Sequence, residues 1–417
     1  MKLAYTTVFD PGFNTSSNPA ARNGSHGTHG KPTVSYTATS SGAGLESWGV
    51  NGHPASFGAT NAFVATEEPP NPAQRAEIEN NETSKGSAPA SVLSIPVAQE
   101  SIAVIVHLPA SCTATSASAP GRLVLGNQTL EGIFRGTISK WSAILDGGDQ
   151  LTGLGCSSAI TRVVRLDSAG STHILKRYLN LINPAPFKTE TAKEQTWGEV
   201  SEGGANTVWP AAAAVVRPAK TGDTAEVAKV AEVAGSIGYA SLANARANAA
   251  FVPPAGGSGQ ATFWAPVQDS GTTATKEKFG DPSTGGETAG ASTANCAKVK
   301  YSSAPPSVQE TWQAVTTATK EKGYTLCGLA NQLVLTKFSA YPGTSLEEEL
   351  TASNFLSFEL EKKGGGGQQL IAGNGYAALP KKARQSGGQR HQAGRLLASC
   401  AVWPGVPRGL RARPALG

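Results

Sequence analysis

The most regular hydrophobic pattern in the chain begins where Val163-Val164 runs into Arg165-Leu166-Asp167-Ser168-Ala169-Gly170-Ser171-Thr172. An amphipathic helix is predicted directly behind this turn. Ile174, Leu175, Tyr178, Leu179 and Ile182 fall on one helical face, and Lys176, Arg177 and Asn180 on the other. Nearer the start, Thr33 to Ala38 alternates as a strand does. It leads into Ser40-Ser41-Gly42-Ala43-Gly44 and a predicted helix from Leu45 to Trp48. Ala55 to Ala62 reads as a short apolar strand that ends in polar groups, among them Asn61. Far downstream, Leu333 to Phe338 predicts a strand, and Leu346 to Lys363 a helix stopped by Gly364–Gly367.

These turns carry the candidate chemistry. Small polar residues at a helix N-terminus present free backbone N–H groups and hydroxyls, and the helix dipole favours negative charge there. An arginine just upstream adds a planar, bidentate clamp. The Arg165–Thr172 stretch therefore has the parts needed to hold a tetrahedral oxyanion. The Ser40–Gly44 turn and the segment around Asn61 are of the same kind, so three loops can converge on one small ligand between two lobes.

The chain resembles the periplasmic-type phosphate-binding proteins, the substrate-binding components of phosphate ABC transporters. Tyr36 through Gly44 resembles the family's Y-x-G-x-G-S-S/G-x-G turn, and Phe57-Gly58-Ala59-Thr60-Asn61 its F-G-A-S-D. Leu93 to Val97, followed by Ile102 to His107, resembles its crossing strand. Leu123-Val124-Leu125, then Thr129 to Gly136 and Ile138 to Trp141, is similar to L-x-L-x-x-x-x-L-x-x-I-F-x-G-x-I-x-x-W. Arg165 to Thr172 resembles R-x-D-G-S-G-T-T, Gly235 to Tyr239 resembles P-G-A-I-G-Y, and Gly375 to Pro380 the closing G-Y-x-x-L-P. The pieces occur in the family's order and span most of the chain.

The resemblance implies an α/β protein of two lobes, the type II periplasmic-binding-protein fold, with one dehydrated phosphate in the cleft. Carried over by position, the phosphate-binding residues are Ser41, Asn61, Arg165, Gly170 and Ser171, and Asp167 orients the Arg165 guanidinium from behind. Ordinary helix capping by Ser41 and an ordinary turn role for Asp167 are the competing readings. The chain also departs from the family. Asn61 stands where the family has an aspartate that accepts a proton-bearing phosphate oxygen and repels sulfate, so discrimination against sulfate is expected to weaken. Ala169 removes one hydroxyl. The N-terminal G-A-T-F-P loop has only Thr6-Thr7-Val8-Phe9 as a counterpart.

Composition narrows the picture little further. The 417 residues suffice for two domains. Charged residues make up 16%, and no run of apolar residues is long enough to span a membrane. The formal charge is +5, but residues 381–417 hold eight Lys/Arg and no acid, which leaves the rest at −3. That basic tail reads as disordered from residue 385, with a solvated tail or sequence past the true end favoured over a lipid or nucleic-acid contact. Family members are exported, yet Met1 to Tyr5 leads into polar sequence with no apolar leader. The favoured reading is that the start lies upstream, where the leader and the missing first loop would both be found.

The five cysteines, Cys112, Cys156, Cys296, Cys327 and Cys400, form no C-x-x-C pair, so a zinc site is not expected. Two disulfides with Cys400 left over, and free buried cysteines, are both open; the former suits an exported protein. Sequons at Asn14, Asn23, Asn81 and Asn127 permit glycosylation. Residues 251–321 are rich in Gly, Pro and Ser, and Thr-Thr-Ala-Thr-Lys-Glu-Lys occurs at both 272–278 and 316–322 without matching flanks.

Enzyme readings fail. His26-Gly27-Thr28-His29 is too isolated for a metal site, and Gly24 to Lys31 departs from a phosphate loop in spacing and in having Pro32 where magnesium needs a hydroxyl. No G-x-S-x-G elbow occurs. His173 is expected to lie exposed in the first helical turn. The resulting expectation is an extracytoplasmic, monomeric binding protein without cofactor, metal or catalytic residues. It takes inorganic phosphate, with an ABC permease as its partner and no nucleic acid. Residues 1–98 form the first part of lobe 1, 99–250 lobe 2, 251–321 a segment not assigned to a lobe, 322–384 the return to lobe 1, and 385–417 the tail. A degraded or broadened oxyanion-binding member acting as a surface receptor or scaffold is the alternative, and a phosphatase in the same cleft lacks the metal carboxylates it would need.

Overall fold

One strand runs through both halves of the fold. Val92–His107 stays extended for 16 residues and is buried almost throughout. The computed structural model describes residues 4–13, 34–56, 61–84, 91–146, 150–251, 261–268, 278–285, 293–296, 300–301, 318–320, 324–336, 346–362, 365–381 and 383–384. The expectations for Phe57–Thr60, His26–His29, Asn14, Asn23, Cys400 and the basic tail concern positions outside these residues.

The strands of the main sheet are β1 (Val64–Thr66), β2 (Val92–His107), β3 (Thr161–Val163), β4 (Val215–Val216), β5 (Ser236–Ser241), β6 (Thr262–Ala265), β7 (Cys327–Leu335) and β8 (Tyr376–Ala377). Their order is β1-β7-β2-β5-β3-β4, with β6 and β8 pairing on β2. The first ten residues of β2 pair antiparallel with β7, from Val92↔Leu335 to Ser101↔Cys327. From Ile102↔Ser241 onward its partner is β5. The change of partner between Ser101 and Ile102 divides the sheet into two halves, one for each lobe. β3 runs parallel to β5 and β4, as crossover helices require.

The helices that matter here are α1 (Ser41–Glu46), α2 (Pro72–Ser84), α3 (Asn127–Arg135), α4 (Gly170–Ile182), α5 (Asp223–Glu232), α6 (Leu242–Arg246) and α7 (Leu346–Leu360). In the second lobe Trp141, Trp197, Trp209 and Trp264 are fully buried beside Ile102–Val106. Each such side chain contributes about 3 kcal/mol through apolar burial. The first lobe is filled by smaller clusters around Tyr5, Phe355 and Phe358, around Trp48 and Leu333, and around Ile95 and Leu356.

Several expectations change. Residues 34–40 form no strand; Tyr36 instead stacks on Tyr5 with ring centroids 4.8 Å apart. The first-lobe edge strand is Val64–Thr66, one turn later than the stretch ending at Asn61, because it is this segment that registers against β7 at Val64↔Leu333. Tyr5–Phe9 is a helical turn and not a loop. Cys112–Cys156 and Cys296–Cys327 are both joined as disulfides. From the 251–321 segment comes β6, antiparallel to the second-lobe half of β2. The strand expected at 333–338 begins six residues earlier and ends at Leu335, as β7, and the helix expected at 346–363 is α7, ending at Leu360.

Candidate functional site

The two halves of the sheet meet where α1, the end of β1 and the start of α4 come together. Ser40 caps α1, its hydroxyl accepting from Ala43 N–H at 3.2 Å. Capping therefore does not occupy Ser41, the first helical residue. Ser41 Oγ donates to Glu67 Oε2 at 2.7 Å, immediately after β1. Gly170 opens α4 with no side-chain cap, so the N–H groups of its first turn point outward from the helix end. A Cβ on Gly170 would lie 2.3 Å from Glu67 Oε2 and 2.8 Å from Ser41 Oγ. Ser41, Glu67 and Gly170 therefore touch across the two lobes.

Arg165 projects from the turn between β3 and α4. Its Nε donates to Asp167 Oδ1 at 2.9 Å and its Nη2 to Asp167 Oδ2 at 2.5 Å, a bidentate grip that fixes the plane of the guanidinium. Nη1 donates to Ser171 Oγ at 3.3 Å and also to Asp223 Oδ1. Burial opposes the positive charge, but Asp223 and Asp167 more than offset this and hold the Arg165 pKa above its ordinary value. The Tyr239 hydroxyl, on β5, meets both the Arg165 N–H at 3.4 Å and Thr172 Oγ1 at 2.6 Å.

Behind this loop lies a second set of contacts, of which the last crosses between the lobes. Asn206 holds Ala169 by two bonds, to its N–H at 3.2 Å and to its carbonyl at 2.9 Å. Ser168 Oγ donates to Gly203 O at 2.8 Å, while its own carbonyl accepts Gly42 N–H at 3.2 Å.

Of the residues expected at the site, Ser41, Arg165, Gly170 and Ser171 come together, with Asp167 behind Arg165. Asn61 does not join them. Its amide donates to Ser56 O at 2.6 Å and to Ser47 Oγ at 3.2 Å, at the far end of α1. The position beside Ser41 belongs to Glu67. Phe63-Val64-Ala65-Thr66-Glu67 repeats the pattern of Phe57-Gly58-Ala59-Thr60-Asn61 and ends in an acid, which is the signal that could have found it.

His173 and Lys176 also depart from expectation, for both are fully buried. His173 Nδ1 lies 2.9 Å from Ser201 O. Lys176 Nζ donates to Val200 O, Asn206 O and Val208 O at 3.1, 2.8 and 2.6 Å, and sits 4.2 Å above the Trp209 ring. Asp223, which no local motif marks, is the second carboxylate ion-paired with Arg165.

A family profile describing a PBP superfamily domain matches residues 6–259. The chain belongs to the PBP superfamily. Solved structures similar to this PBP-superfamily chain include a phosphate-binding protein from Stenotrophomonas maltophilia, at 16% identity and a TM-score of 0.55 over 84% of this chain and 85% of that one. Another is a periplasmic phosphate-binding protein, PfluDING, solved with phosphate bound, at 18% identity and a TM-score of 0.57 over 91% of both chains. At these identities the likeness is one of fold, and the fold is that of two-lobed periplasmic binding proteins. No curated protein matches the chain. Among the described residues no helix is long and apolar enough to cross a membrane.

Proposed function

We propose that this chain binds inorganic phosphate between its lobes, as the substrate-binding component of a phosphate uptake system. One observation carries the reading. The Arg165 guanidinium and the Ser171 hydroxyl lie together at the uncapped start of α4 in one lobe, and Gly170 at that start meets the Ser41 hydroxyl and the Glu67 carboxylate of the other. Donors from both lobes suit an oxyanion, and a carboxylate among them suits one that still carries a proton. The similar structures named as phosphate-binding proteins support the same choice of ligand.

In this reading Ser41, Arg165, Gly170 and Ser171 donate to phosphate oxygens, Asp167 keeps Arg165 in plane, and Glu67 takes the role first given to Asn61. Glu67 accepts the phosphate hydroxyl, and sulfate, which has no proton at neutral pH, meets the carboxylate lone pairs instead. The site works by capture and not by chemistry. The lobes hinge about β2, close over the anion and replace its hydration shell. Closed and open forms then present different surfaces to an ABC permease. An extracytoplasmic location accords with the two disulfides, since such bonds persist in oxidising compartments.

The test is isothermal titration of phosphate, with sulfate in parallel, into protein freed of ligand by unfolding and refolding. Tight phosphate binding with weak sulfate binding is expected. Equal affinity for the two would remove the assigned role of Glu67, and binding of neither would overturn the proposed function.

A further inference from the structure

Asp223 begins α5, and its carboxylate is held from two sides. Oδ2 accepts Ser241 N–H at 3.0 Å and Asn244 Nδ2 at 3.3 Å, both within its own lobe. Oδ1 accepts from Arg165 Nη1 and from Ser171 Oγ, the latter at 2.9 Å. These two donors are the ones assigned above to the anion. Gly222, just before it, donates its N–H to Asp167 Oδ1 at 3.2 Å, so the loop is tied to the other carboxylate on Arg165 as well.

The geometry points to Asp223 as an internal stand-in for a ligand oxygen, which competes for Arg165 and Ser171 and sets the affinity and anion selectivity of the site. This rests on the phosphate reading given above. Burial pushes the Asp223 carboxyl up, but Arg165, the Ser241 N–H and Ser171 outweigh it and hold the group below the usual carboxylate range. It is therefore charged at neutral pH. An entering anion must take Arg165 Nη1 and Ser171 Oγ from Oδ1, while Oδ2 keeps its partners on β5 and α6. The released oxygen then lies beside the ligand. A ligand oxygen that carries a proton can donate to it, and a fully ionised one is repelled. Asp223 thereby adds from the second lobe the kind of discrimination that Glu67 supplies from the first.

The experiment titrates inorganic phosphate and sulfate into the wild-type chain, Asp223→Asn and Asp223→Ser, with thermal unfolding to check each fold. Asparagine keeps an oxygen for Ser241 and turns the competing acceptor into a donor, and serine serves if the amide disturbs α5. Both variants are expected to bind phosphate about ten-fold tighter or more, and to gain more for sulfate, so that the selectivity ratio narrows. Phosphate binding by the variants alone would support the proposal in its strongest form. Wild type that binds phosphate alongside folded variants that bind no tighter would overturn Asp223's role and leave the phosphate reading standing. Binding of neither anion by any of the three would overturn both.

Discussion

Glu68 Oε1 accepts the Gly203 backbone N–H at 2.5 Å, joining the residue pair after β1 to a segment of the opposite lobe. Its other oxygen accepts Asn206 Nδ2 at 3.1 Å, and Asn206 in turn holds both polar backbone groups of Ala169. Adjacent acids thus divide the work. Glu67 faces Ser41 and Gly170, while Glu68 braces the loop that carries Gly170.

This brace makes stability depend on pH. Burial, helped by the charges of Glu202 and Glu67 and opposed by the Gly203 and Asn206 hydrogen bonds, raises the Glu68 pKa from 4.5 to about 7. The folded protein holds that proton more tightly than the unfolded chain does. The contribution is therefore complete below pH 4.5 and lost as pH rises through about 7. Its size is about 3 kcal/mol. His173 acts oppositely. Burial, opposed by the hydrogen bond to the Ser201 carbonyl and aided to a smaller degree by the charge of Arg177, lowers its pKa from 6.5 to about 4. Its stability is present above 6.5 and lost as pH falls through about 4. The two offset each other in mildly acidic solution, and above 6.5 the His173 contribution is complete while that of Glu68 is still being lost. Glu100, Glu226 and Glu359, all raised by burial, reinforce it. Chemical unfolding is expected to show stability declining from about pH 6 to about pH 8, with a shallower decline in Glu68→Gln. A wild-type profile that rises over this interval would refute the account.

Glu67 and Asn61 give contrasting predictions for selectivity. Glu67→Gln replaces the proton acceptor by an amide that can donate to a sulfate oxygen. The phosphate-to-sulfate affinity ratio is expected to fall about ten-fold or more. Asn61→Asp is expected to leave the ratio unchanged and to cost about 1–2 kcal/mol in unfolding, because it loses the amide bonds to Ser56 and Ser47. Paired titrations decide it, and a ratio that responds only at position 61 would return that residue to the site.

The parts of the site readable in sequence are those that one short segment supplies. Arg165, Asp167, Gly170 and Ser171 lie within a single turn, so local pattern places them together. Ser41 follows from its own turn. Glu67 was hidden by a near-copy: Phe57-Gly58-Ala59 carries the more familiar glycine, and only pairing with Leu333, far away in sequence, selects Val64–Thr66 as the strand. Asp223 reaches Arg165 across 58 residues, a distance over which one sequence carries no register. His173 and Lys176 lie buried where the sequence pattern exposes them, because helical period gives a face its angle and not its cover. The segment from Val200 to Val208 lies over the polar face of α4, and its carbonyls use those side chains as donors.

Arg165 carries structure as well as its proposed role in binding the anion. Arg165→Ala strands Asp167 and Asp223 in a buried place without their cation, and breaking such pairs costs about 3–5 kcal/mol. Phosphate binding should be lost and the denaturation midpoint lowered together. Arg165→Lys keeps the charge without the fork, so it should restore much of the stability but little of the binding. Full phosphate affinity in the lysine variant would show that the bidentate geometry is dispensable.

The disulfides predict a dependence on redox state. Cys112–Cys156 and Cys296–Cys327 close segments with sequence separations of 44 and 31. Chain entropy alone assigns each about 4 kcal/mol. Cys327 also begins β7 opposite Ser101, where β2 changes partner, so the second bridge steadies the junction of the two halves of the sheet, about which the proposed closure would turn. Guanidinium unfolding with and without reductant should show a midpoint lowered by reduction, and coincident curves would contradict it.

Closure can be blocked without touching a charged group. Gly170 has room for a Cβ as far as its helix is concerned, and alanine is the better helix former. Across the lobes, however, that atom would lie 2.4 Å from Glu67 Cβ as well as against its carboxylate. A Cβ cannot swing aside as a side-chain tip can, so the lobes must part. On the facing side, a Cβ on Gly42 would come within 2.6 Å of Ser168 Cβ. Gly170→Ala and Gly42→Ala should therefore act alike although they belong to different lobes. Both should fold, bind phosphate at least about ten-fold more weakly, and keep a larger radius of gyration at saturating phosphate than the wild type. Small-angle scattering beside titration separates this from simple loss of a donor, which would weaken binding while leaving the bound form as compact as before.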